Sequence, residues 1–170
     1  MFSLQGKRLT RAGVIAGLYA VTTLITMPIA SGAIQIRLSE ALTLLPLLFP
    51  EAIPALFIGC FLSNLLSGCA LLDVVFGSLI TLVAGILTCL FGKVLKNTAL
   101  KLVVGGAFPV LLNAFLLPVI WVYCYGALEY LYFMQATFLI IGQAISVYAL
   151  GVPIYLQINK LKDKHIRFFE

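Results

Sequence analysis

The chain has 170 residues, 62% of them hydrophobic and only 10% charged, with a formal net charge of +5. Soluble domains carry about 25% charged residues, and a domain of this size leaves too much surface in water to hide such an apolar excess, so a soluble fold is excluded. The positive charge does not point to nucleic acid: it is gathered at Lys7, Arg8 and Arg11, at Lys93, Lys96 and Lys101, and at Lys160, Lys162, Lys164 and Arg167, with Arg37 alone outside these clusters, the distribution that the positive-inside rule produces.

In chain order, the pattern predicts an all-α integral membrane protein, one membrane domain with six transmembrane helices at roughly 9–30, 38–49, 52–67, 73–92, 100–123 and 130–158. The first apolar run, from Ala12 to Ala30, is longer than the core of a cleaved signal peptide and is read as a retained helix ending near Ser31-Gly32. The second helix is short; Pro46, Pro50 and Pro54 argue against one long helix over 34–69. Pro109 and Pro118 are expected to kink the fifth. Six spans put both termini on one side, and the three basic clusters mark that side as cytoplasmic.

With that topology Arg37, Glu40, Asn64 and Asp73 fall near the outer ends of helices two, three and four. A charge at membrane depth costs about 2.5–3.5 kcal/mol even on the lenient scale, so several on one side suggest a polar pocket between helices, open to the outside. Arg37 and Glu40 would share a helix face, either as a structural ion pair or around a solute. Asp73 reads either as an N-cap or as an acceptor for a ligand amino group. Asn64, Asn113 and Gln143 lie within apolar helices, where interhelical hydrogen bonds compete with ligand contacts as the explanation. Trp121, Tyr123, Tyr125, Tyr130, Tyr132 and Phe133 fit an interfacial belt, with stacking on a planar ligand as the alternative. Ala12, Ala16 and Ala20 form a small-residue stripe on helix one, flanked by Gly13 and Gly17, suited to close helix packing inside the bundle or against a partner.

Other functions lack their residues. Cys60, Cys69, Cys89 and Cys124 form no CxxC pair and read as free thiols, and with His165 as the single histidine the chain offers too few metal ligands. It carries no P-loop and no nucleophile elbow, so neither an enzyme nor a resident cofactor is expected. A pocket without an engine points to a binding subunit powered by partners.

The run Ile34-Gln35-Ile36-Arg37-Leu38-Ser39-Glu40-Ala41-Leu42 resembles the IQxRxSEAL signature of the queuosine-precursor transporter (QueT) family, with support from Pro50-Glu51-Ala52-Ile53-Pro54, from 59–65, from 73–78 and from 109–114. The resemblance implies a substrate-binding S component of an energy-coupling-factor (ECF) importer in the bacterial cell membrane. Its partners would be a transmembrane coupling protein and two cytoplasmic ATPases. It implies a 7-deazaguanine base bound at the extracellular side and coupling-protein docking on Ala12, Ala16 and Ala20. Arg37, Glu40, Asn64, Asp73, Asn113 and Gln143 are then the candidate substrate-binding residues. Gln143 stands where the resemblance leads one to expect a glutamate, which a cationic aminomethyl substituent would favour. The alternatives are an S component for another vitamin-like solute and a structural membrane subunit without ligand.

Overall fold

The computed structural model describes residues 4–30, 34–126 and 130–164, and only the backbone of Leu4, Ile29, Ala30 and Asp163. The expected helix end at Ser31-Gly32 and the tail residues His165 and Arg167 lie outside the described residues. Six helices follow one another, and no strand occurs among the described residues. They are α1 (Leu4–Ala30), α2 (Leu38–Leu47, wound as a 3-10 helix), α3 (Ala52–Leu66), α4 (Leu71–Val94) and α5 (Thr98–Tyr125). The sixth, α6, opens as Tyr132–Ala144, widens into a π-helical stretch over Ile145–Gly151 and resumes as Val152–Asp163.

Four of the six, α1, α4, α5 and α6, are long and apolar enough to cross a membrane. The other two are not. The 15 residues of α3 reach about 22 Å, short of the ~30 Å hydrocarbon core, and α2 is shorter still. The six expected helices are thus present with the second short as expected, α3 is short as well, and four are long enough to cross a membrane. Proline explains the division: Pro50 falls in the turn between α2 and α3, where a ring in place of an N–H breaks the helical ladder. Pro109 and Pro118, by contrast, are accommodated inside one uninterrupted α5. That helix starts on an Asn97 side chain accepting from the Ala99 and Leu100 N–H groups and ends at Gly126, whose φ of 79° is the left-handed cap that favours glycine.

The short helix α2 is the axis of the bundle. Ser39 through Pro46 are all buried, and α2 touches each of the other helices. Close backbone approach, which substitutes for hydrophobic drive inside lipid, fixes its neighbours. A Cβ on Gly59 of α3 would come within 2.8 Å of the Ala16 carbonyl and of the Tyr19 Cβ on α1. A Cβ on Gly142 of α6 would run into the backbone of Gln35, so the extended segment before α2 is pressed onto α6. Large apolar side chains such as Ile25, Leu66, Val103, Leu131 and Phe133 are exposed on the outside, as lipid requires.

The two ends of the bundle differ in charge. Arg11 near the start of α1 and Lys162 near the end of α6 both stand over the Phe49 ring, at 4.8 and 5.5 Å from its centroid. Leu47 packs against both Gly92 and Gly105, beside Lys93 and Lys101. The described members of the three basic clusters therefore share one end.

Candidate functional site

A cavity of about 140 Å3 opens at the end of the bundle remote from the basic clusters. Ligand pockets for drug-sized molecules run to ~300–1,000 Å3, so this one suits a smaller solute. Its wall is built where chain reversals meet: the last turns of α1 and α3, the first turns of α4, the extended segment before α2 and the second half of α5.

Arg37, Asn64, Asp73 and Asn113, all candidates from the sequence, line this one cavity. Arg37 Nη2 donates to Asn64 Oδ1 at 3.0 Å, and the Asn64 amide in turn lies 3.6 Å from Cys60 Sγ. Tyr125 donates to Asp73 Oδ2 at 3.4 Å while accepting from the Ala70 N–H at 3.2 Å, a link between the end of α5 and the start of α4. Of the two readings of Asp73 the N-cap fails: Ala70 holds that position, and Asp73, in the first turn of the helix, lines the cavity. The expectation for Arg37 and Glu40 is corrected. Arg37 and Glu40 do not share a helix face, because Arg37 precedes α2 in extended conformation with φ −102° and ψ 106°.

Glu40 and Gln143 are buried but do not line the cavity. Glu40, 1% exposed, accepts from Tyr19 at 2.6 Å and from Asn113 Nδ2 at 3.4 Å. It thereby fixes the amide of Asn113, whose side chain does reach the cavity. Gln143 is fully buried, and neither heteroatom of its amide has a hydrogen-bond partner among the described residues.

The cavity also recruits side chains that sequence reasoning assigned elsewhere. Trp121, read with its aromatic neighbours first as interfacial belt and only alternatively as a stacking surface, lines the wall near Asp73. Cys60 and Cys69 line it as well, together with Gln35 and Thr81. All four cysteines are free. In the turn before α4, burial pushes the Cys69 thiol up from its ordinary range, with Asp73 adding to the rise and Arg37 opposing it. The thiol is thus neutral at pH 7, and Arg37 and Asp73 supply the ionisable pair of the wall. Chemically, the site offers one carboxylate acceptor, one guanidinium, three side-chain amides (Gln35, Asn64 and Asn113) and an indole, a set for recognising a planar polar solute.

The α1 stripe is placed differently from the cavity. Ala12 and Ala16 are half-buried against the core that α1 shares with α3, and Ala20 is buried. Gly13 and Gly17 are exposed, with nothing within 4 Å of where a Cβ would stand.

Comparison with known proteins gives one match: the family model described as QueT transporter covers residues 9–160. No curated protein and no solved structure matches the chain.

Proposed function

Because the chain belongs to the QueT transporter family, a multi-pass membrane transporter by its four long apolar helices, we propose that its cavity captures a queuosine precursor, a 7-deazaguanine base. The observation that carries this reading is the convergence of Arg37, Asn64, Asp73, Asn113 and Trp121 on one small hollow. A guanine-like edge presents two adjacent N–H donors, and a carboxylate accepts such a pair bidentately. Asp73 is the acceptor, Asn64 and Asn113 read the carbonyl side, and Arg37 orients Asn64. The base stacks on Trp121. Glu40 acts through Asn113, and Gln143, buried and off the cavity wall, takes a supporting place rather than a direct contact to the ligand.

In this reading the protein is the S component of an ATP-driven ECF importer, with six helices in the S-component arrangement and both termini cytoplasmic. The cavity, remote from the basic end, then faces the outside by the positive-inside rule. A coupling protein docks on α1, where Ala12, Ala16 and Ala20 keep the helix slender and Gly13 and Gly17 leave its outer side smooth. Two cytoplasmic ATPases supply the energy.

The test is calorimetric titration and thermal shift of the purified chain with queuine and its biosynthetic precursors beside a panel of vitamins. Saturable binding of a 7-deazaguanine, without partners, supports the reading. Stabilisation by a vitamin alone would assign the same pocket to another solute. No binding by any of them would leave Arg37, Asn64 and Asp73 as helix locks.

A further inference from the structure

A second hollow lies along the flank of the bundle, a groove of about 580 Å3 between α1 and α6 with α2 as its floor. Val14 and Leu18 of α1, Leu42 and Leu45 of α2, and Ile154 and Ile158 of α6 form its walls, and Arg11 is the one ionisable side chain on it. From Arg11 to Thr22 the groove follows about 16 Å of α1, and its walls are apolar apart from Arg11 and Thr22.

Charge at its mouth narrows the choice further. One turn beyond Arg11 on α1 stand Lys7 and Arg8, and one turn beyond Ile158 on α6 stands Lys162; Arg8 and Lys162 are exposed. Glu51, the acid nearest Arg11, is already committed to it at 2.6 Å. Basic pockets between transmembrane helices bind anionic headgroups.

We propose that this groove binds a single anionic phospholipid, its acyl chain lying along Val14, Leu18, Ile154 and Ile158 and its phosphate between Arg8 and Lys162. The site is independent of the solute cavity, since the two share no lining residue. It rests only on the chain lying in a membrane.

Native mass spectrometry of the full chain, released from micelles holding equal phosphatidylglycerol and phosphatidylcholine, tests it. One phosphatidylglycerol should be retained in preference. Arg8→Gln with Lys162→Gln should cut that preference about 30-fold, for two bases near a phosphate. Val14→Trp, which fills the groove, should remove the retained lipid of either kind. Circular dichroism melts of the charge variants, whose side chains are exposed, check that they fold. Equal retention of the two lipids overturns the proposal. So does a preference that survives either change, or a groove filled by a second membrane helix with no lipid released.

Discussion

Tyr19 on α1 donates a 2.6 Å hydrogen bond to Glu40 on α2, and both side chains are almost wholly closed to solvent. This bond, with the one from Asn113, gives the carboxylate at the bundle's axis partners from two long helices. Hydrogen bonds to a charged group contribute about 1.5–3 kcal/mol, and an orphaned buried carboxylate costs more than a neutral group would.

Tyr19→Phe should therefore lower stability by about 1.5–3 kcal/mol, read as an earlier melt in detergent. It should weaken solute binding less than tenfold, because neither Tyr19 nor Glu40 lines the cavity. A variant that melts like the parent but no longer binds would move Glu40 from a positioning role into the site itself.

Asp73→Asn should separate binding from folding in the opposite sense. The carboxylate is in the cavity wall with a long hydrogen bond from Tyr125 at 3.4 Å and the Trp121 indole beside it, so an amide of the same shape is expected to fold. It offers one acceptor oxygen where the base edge needs two. A loss of about 10–150-fold in affinity follows from the strength of charge-assisted bonds, with little change in melting. Titration calorimetry on the variant reads both; undiminished binding would remove Asp73 from the site.

Trp121 is the only tryptophan in the chain and lines the cavity, so its fluorescence reports occupancy directly. Titrating a 7-deazaguanine should change the emission saturably, at the midpoint found by calorimetry. Trp121→Ala should weaken binding by about 1–3 kcal/mol, the usual loss for an aromatic on which a base stacks. Emission that ignores a ligand known from calorimetry to bind would place the base elsewhere.

These roles were unequally legible in the sequence. Arg37, Asn64, Asp73 and Asn113 stood out because polar groups in lipid need a reason, and the cavity gathers all four. Glu40 was visible for the same reason, but its partner was not: a tyrosine on an apolar helix looks like packing until a carboxylate is known to face it. Three-residue spacing suggested that Arg37 and Glu40 share a face, yet that rule needs a helix, and Arg37 is still extended. Trp121 was masked by its aromatic neighbours, which include the exposed Tyr123. The π-helical stretch Ile145–Gly151 has no signature in hydropathy at all, since it changes the winding without changing which residues are apolar.

Arg11 shows the same limit at the other end of the molecule. By position it belongs to an amino-terminal basic cluster, whose ordinary meaning is topological. In the fold it is 6% exposed and paired at 2.6 Å with Glu51, itself 14% exposed, with the Phe49 ring stacked beside it. Breaking such a pair from one side strands a charge and costs about 3–5 kcal/mol, whereas replacing both members by apolar groups is often nearly neutral. Arg11→Met should thus destabilise strongly, and adding Glu51→Leu should recover most of the loss. Reversible unfolding in mixed micelles measures both. A double variant as weak as the single one would mean that α1 and α3 are joined here by the Arg11 stem against Phe49 rather than by the ion pair.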